Sequence, residues 1–153
     1  MQNPQRTLLK RTNPNNAVMQ NTTSSSNNCE TQTSDLVSEF MNAAVSFHKL
    51  HLKVTGVGSY AQHKALNELY DAMPEHADTL AEAYQGAAEC LMTYTEKAPR
   101  SLNSVDEAIA YANELKNMTS ALQSMMPYSE IVNDLDACKS IINSIKYKLL
   151  FLK

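Results

Sequence analysis

The sequence predicts an all-α protein: a four-helix bundle preceded by a polar N-terminal arm. Three observations carry that prediction. Four stretches from Asp35 onward repeat apolar residues at spacings of three and four, the period of a helix buried along one face. The breaks between them carry glycine, proline or a serine able to cap a helix. A chain of 153 residues gives one such domain a real core and is short for two.

The arm is placed at 1–34 and the bundle at 35–153. Of the first 34 residues, 21 are Asn, Gln, Ser or Thr. The apolar residues among them (Leu8, Leu9, Ala17, Val18, Met19) keep no period. Such a segment buries too little to offset its ordering entropy, so it is expected to be disordered unless a partner orders it. It carries Arg6, Lys10 and Arg11 against Glu30, a balance of +2 within a net charge of −3, which leaves −5 for the bundle. A body this acidic is a poor nucleic-acid surface, so any affinity for DNA has to come from the three cations of the arm, a weak footprint.

Helix A is expected over Asp35–Val54, with Val37, Phe40, Ala44, Phe47 and Leu50 inward and Gly56 and Gly58 ending it. Ser59 with Gln62 reads as a capping box opening helix B, which runs to about Gly86 and at most to Tyr94. Thr95–Asn103, with Pro99, reads as a loop. Ser104 with Glu107 is a second capping box, opening helix C, whose stripe is Val105, Ile109, Ala112, Leu115, Met118, Leu122 and Met125. Pro127 breaks the chain and Ser129 is placed as the cap of helix D. Its stripe is Ile131, Leu135, Cys138, Ile142, Ile145, Leu149 and Leu152.

Composition excludes several classes. No apolar run reaches the length of a membrane span, and no apolar segment near Met1 resembles a signal peptide. Cys29, Cys90 and Cys138 are odd in number, far apart and free of any Cys-x-x-Cys pair. A disulfide framework or thiolate zinc site is therefore not expected. A reducing, cytoplasmic setting is (host cytoplasm or virion, if the source is viral).

Helix B carries the chemistry. Its core residues Leu66, Leu69, Met73, Ala77, Leu80 and Tyr84 fall within an arc of about 80° at 100° per residue. Beside them His63, Asn67, Asp71, Glu75, Asp78 and Glu82 spread over about 120°. A solvated acidic face is the ordinary explanation of such a stripe. His63 and Asp78, 15 residues apart, sit about 22 Å apart along the axis, so one chain cannot close both on one metal. Packing helix B antiparallel against a copy of itself changes that. His63 of one chain then lies opposite Asp78 and Glu82 of the other, with the two-fold axis near residues 71 and 72. Two equivalent sites of mixed nitrogen and oxygen ligands result, suited to iron, manganese or zinc. No histidine has a Glu three residues before it, so the Glu-x-x-His design of a metal site within one bundle is absent.

The run His51-Leu52-Lys53-Val54-Thr55-Gly56, then His63, then Glu75-His76-Ala77-Asp78-Thr79-Leu80-Ala81-Glu82 resembles the signature of the Dps mini-ferritins. The likeness covers roughly residues 36–90; His63-Lys64-Ala65-Leu66 and Ala81-Glu82-Ala83-Tyr84-Gln85-Gly86 are similar to Dps-like proteins of tailed phages and large viruses. The resemblance implies a ferritin-like four-helix bundle. It also implies an iron site between subunits built from His51 and His63 of one chain with Asp78 and Glu82 of its partner, Asn67 standing at the fifth ligand position. With it come ferroxidase activity, a homo-oligomer paired through helix B (a dimer, in the family a dodecamer), and in some members DNA binding by a basic arm.

Departures from the family pattern shape the expectation. Asn67 replaces an aspartate, Leu52 replaces a tryptophan, and Pro74 interrupts helix B between the two ligand halves, where a kink is expected. Two motif carboxylates balance one divalent ion, so one well-held metal per site is expected, with Asp71 or Glu75 as substitutes for the lost acid. His48 and His76 read as structural histidines. Ferritin-like topology further requires helices B and C to run parallel, joined by a connection that travels the length of the bundle. An up-down-up-down bundle is the alternative. The functional expectation is Dps-like iron binding with Fe(II) oxidation and storage, another divalent transition metal being the variant. The competing one is a structural or scaffolding protein, such as a virion component, with a degenerate site.

Overall fold

A computed structural model describes residues 14–152, with side chains from residue 27 onward. Four helices make the fold: α1 (Pro14–His51), α2 (Ser59–Ala88), α3 (Val105–Gln123) and α4 (Ser129–Phe151). No strand occurs among the described residues, and no helix there is long and apolar enough to cross a membrane. The tail cations Arg6, Lys10 and Arg11 lie outside the described residues.

The first helix begins well before Asp35, where the sequence boundary was drawn. Cys29, Thr33, Ser34 and Leu36 are all buried, continuing the inward face of Val37 and Phe40 by one and two turns. The Thr and Ser residues there are tolerated because their hydroxyls donate back into the helix: Thr33 Oγ1 to the Cys29 carbonyl (2.8 Å) and Ser34 Oγ to that of Thr31 (3.1 Å). A hydroxyl with its partner inside the helix can be buried at little cost.

Two caps also differ from expectation. Gly58 in the left-handed region (φ 79°) is the N-cap of α2, and its carbonyl accepts from Gln62 N, so Ser59 already lies inside the helix and forms no capping box. Tyr128, extended, is the N-cap of α4, and Ser129 is its first residue rather than its cap. Ser104 does cap α3, its side chain accepting from Glu107 N at 3.2 Å, while Glu107 reaches back to Asn103 N at 2.8 Å.

The core is one cluster drawn from all four helices. The whole α2 stripe from Leu66 to Tyr84 is buried, as are Ile131, Leu135, Cys138, Ile142, Ile145 and Leu149 of α4. Each fully buried Leu, Ile or Phe contributes about 1.5–3 kcal/mol. On α3 the buried line is Ala108, Tyr111, Ala112, Leu115, Thr119 and Leu122. Val105, Ile109, Met118 and Met125 only flank it. Leu152 follows the end of α4 and is 40% exposed.

The topology follows from which ends meet. The helices pack as a ring in which α1 touches α2 and α3, and α4 touches α2 and α3. Lys148 of α4 pairs with Glu68 near the start of α2, and Tyr84 near the end of α2 meets Tyr128 before α4, so these two run antiparallel. Between α2 and α3 the chain at 89–104 is not helical. It climbs beside α1, with Lys97 at 3.7 Å from Asp35, Arg100 N donating to Ser46 Oγ at 2.9 Å, and Lys53 Nζ donating to the Leu102 carbonyl at 2.8 Å. Met92 and Leu102 are buried along the way. The crossover returns the chain to the end where α2 began, so α2 and α3 run parallel on opposite corners of the ring. The bundle is ferritin-like; the up-down-up-down alternative is excluded.

Candidate metal centre

The last turn of α1 and the first turns of α2 bring His51 and His63 face to face, their rings stacked at 3.6 Å between centroids and 26° between planes. Their hydrogen bonds are reciprocal. His51 Nδ1 lies 3.0 Å from the His63 carbonyl, and His63 Nδ1 lies 3.2 Å from the His51 carbonyl. A carbonyl only accepts, so each Nδ1 carries the proton and each Nε2 is left as the ring's available lone pair. Neither Nε2 has a partner among the described residues. His51 is itself buried, 6% exposed, and His63 is half-buried. An imidazole whose Nδ1–H is fixed by a backbone carbonyl is oriented as metal-binding histidines are.

Around this pair lie residues that sequence reasoning gave lesser roles or missed. His48, one turn before His51, stacks on Tyr70 at 4.1 Å and 11°. Tyr70 also meets His51 edge-on at 5.1 Å. The Tyr70 hydroxyl donates to Asn67 Oδ1 at 3.1 Å, and Asn67 Nδ2 donates to Asp71 Oδ2. Both ends of the Asn67 amide are thus engaged, and the side chain is a spacer rather than a ready ligand. Tyr70 stands seven residues after His63, two helical turns on, and that spacing was the available signal. His76 is a half-buried ring beside Phe40 (6.5 Å), and burial holds its imidazole below the ordinary range against the opposing pull of Glu75 and Asp134. It reads as a core histidine.

Asp78 and Glu82 are exposed on α2, beyond Pro74, through which the helix runs unbroken. They share the outer side of the α1–α2 pair with Asn67 and Asp71, but lie too far along the axis to join His51 and His63 within one chain. Accordingly, no three His, Cys, Asp or Glu side chains converge on a metal position among the described residues of a single chain. The neighbouring side of α1 carries two exposed apolar side chains, Met41 at 48% and Val45 at 42%.

Residues 51–149 match DUF5856, a family of unknown function. The chain belongs to that family. The DUF5856 match starts at His51 and takes in His63, Asn67, Asp78 and Glu82, together with the crossover and both C-terminal helices. No curated protein matches this DUF5856 chain.

Proposed function

We propose that this protein binds a divalent transition metal, with Fe(II) as its substrate, between two copies paired through α2, and that it promotes the oxidation and storage of that iron. His51 and His63 of one protomer would supply nitrogen, and the Asp78 and Glu82 side chains of its partner would supply oxygen. The observation that carries this reading is the reciprocal Nδ1–carbonyl pairing of His51 and His63, which fixes two imidazoles with both Nε2 atoms available. The donor set fits: two neutral nitrogens and two carboxylates neutralise one divalent ion and suit iron, manganese or zinc. Iron held there would supply one-electron transfer to oxygen or peroxide.

The chain's own residues do the positioning. The Gly56–Gly58 turn brings α2 back beside α1 so that the rings stack, and the two carbonyls hold the Nδ1 protons away from the metal side. The exposed Met41 and Val45 give a paired face apolar area to bury. The resemblance of the His51-to-Glu82 frame to Dps supports the same arrangement.

A scaffolding role, for instance within a virion, is the second reading. One observation favours it: Asn67 is tied to Asp71 and Tyr70, so the fifth ligand position contributes no charge. Aerobic Fe(II) oxidation, followed optically for the wild type and for His63→Ala, separates the two. The metal reading expects wild-type oxidation faster than buffer and the variant reduced to the buffer rate. Equal, slow rates in both would sink it and leave the scaffold.

A further inference from the structure

The seam between α3 and α4 on the far side of the bundle holds three half-buried lysines: Lys116 of α3, and Lys139 and Lys146 of α4. Each ammonium meets a side-chain amide. Lys116 Nζ donates to Asn143 Oδ1 at 2.8 Å, Lys139 to Gln123 Oε1, and Lys146 to Asn113 Oδ1. Among the described residues Lys139 alone of the three also has a carboxylate, Asp136 at 2.8 Å. A neutral amide satisfies one hydrogen bond and leaves the charge uncompensated. In a protein of net charge −3, this seam is a local line of positive potential.

Between Lys116 and Lys139 the seam opens into a groove of about 390 Å³, lined by those two lysines with Ser120, Asp136, Ser140 and Asn143. That volume is at the small end of ligand sites. The lining is unusual for an apolar ligand: two ammonium groups, two hydroxyls and one amide can all donate, and one acid, already paired with Lys139, opposes them. Donors of this kind around a net positive charge match a tetrahedral oxyanion.

We propose that the α3–α4 groove binds a phosphate group, with Lys116 and Lys139 as its charged donors and the Ser120 and Ser140 hydroxyls as neutral ones. Asp136 holds Lys139 toward the groove and limits the net charge, so the site suits a single phosphate group, free or as a monoester, over a polyphosphate. The phosphate could arrive free or as the ester of a small molecule; the recognising chemistry is the same. Nothing in this assignment depends on the α2 metal centre.

The test uses the full chain, thermal unfolding and titration calorimetry at fixed ionic strength, with sodium chloride as the background. Orthophosphate and adenosine monophosphate are the probes. A saturable stabilisation by either supports the site, and tighter binding of the nucleotide assigns the ester as the source. Lys116→Gln is expected to weaken binding about tenfold, the loss of one charge-assisted hydrogen bond, and Lys116→Arg to recover most of it. Lys146→Gln, outside the groove, is expected to change binding little. Ser140→Asp, at an exposed position away from the core, places a second negative charge in the groove and is expected to abolish the effect should Lys116→Gln fold poorly. Stabilisation that is absent for both probes, or that persists unchanged in Lys116→Gln or Ser140→Asp, overturns the proposal.

Discussion

Replacing Arg100 by Met tests the crossover on which the ferritin-like topology depends. Arg100 Nη2 sits 2.9 Å from Glu39 Oε1, and its guanidinium carbon lies 4.0 Å above the Tyr111 ring. Glu39 is nearly buried, its side chain 8% exposed, whereas that of Arg100 is 40% exposed. Methionine keeps the apolar stem and removes the charge, stranding the Glu39 carboxylate. Breaking a fully buried pair costs about 3–5 kcal/mol. Solvent reaches this one through the arginine side, so about 2–3 kcal/mol is the appropriate figure, or roughly 4–12 °C in Tm for a chain of this length. Thermal and urea unfolding of the wild type, Arg100→Met, Glu39→Gln and the double variant closes a cycle. Because Glu39→Gln removes the stranded charge, the double variant is expected to be more stable than the sum of the two single losses implies, by at least about 1 kcal/mol. If Arg100→Met falls within about 0.5 kcal/mol of the wild type, or the two losses simply add, the crossover is not pinned along α1 by this pair.

Asn67→Asp replaces the Asn67–Asp71 hydrogen bond with two adjacent carboxylates, so the metal-free protein is expected to lose about 1 kcal/mol. The same change is expected to raise Co(II) stoichiometry from one to two per site, read by titration calorimetry; an unchanged stoichiometry contradicts the role given to Asn67. Burial pushes the Cys138 thiol up to about 12 from its ordinary 9.0, so it is expected to resist iodoacetamide in the native state at a pH where half-buried Cys90 reacts, as peptide mapping would show. The unfolded chain releases that proton first, so stability is expected to fall as pH rises from 9.0 toward 12, by up to about 1.4 kcal/mol per pH unit, a slope that Cys138→Ala removes.

Periodicity made the bundle legible because a buried helix face needs apolar residues three and four apart whatever its partners are, and α2 and α4 obey that rule nearly throughout. It misread the start of α1 because Thr33 and Ser34 are buried polar residues whose hydroxyls bond within the helix, a satisfaction that composition does not display. The spacing of Cys29, Thr33, Leu36, Val37 and Phe40 is helical and was the overlooked signal. On α3 the stripe of Val105, Ile109 and Met118 lies beside the true inward line. That line includes Tyr111, 1% exposed, which the expected stripe left out. Within the site, the meeting of His51 and His63 depends on the turn at Gly56 and Gly58 reversing the chain between them; helical periodicity alone did not pair them, and the expectation that both serve one site came from the resemblance to Dps. The clamp on Asn67 was not readable, because Tyr70 sits at the margin of the inward arc and its hydroxyl could have pointed elsewhere.

The sharing of ligands between subunits can be tested more strictly than by loss of activity. In a two-fold pair, each site takes its histidines from one chain and its acids from the other. A dimer of His63→Ala chains lacks an imidazole at both sites, and a dimer of Asp78→Ala chains lacks a carboxylate at both. A mixed dimer differs: one site carries both defects, and the other draws His51 and His63 from the Asp78→Ala chain and Asp78 and Glu82 from the His63→Ala chain, so it is whole. Equal amounts of the two variants, unfolded together and refolded, pair at random, and about half the dimers are mixed with one good site of two. Metal binding and Fe(II) oxidation are therefore expected at about a quarter of the wild-type level, from two proteins that are each inactive alone. A site contained within one chain cannot be restored by mixing. Recovery thus requires α2 of one chain to lie antiparallel to α2 of another in the register that sets residues 63 and 78 opposite each other.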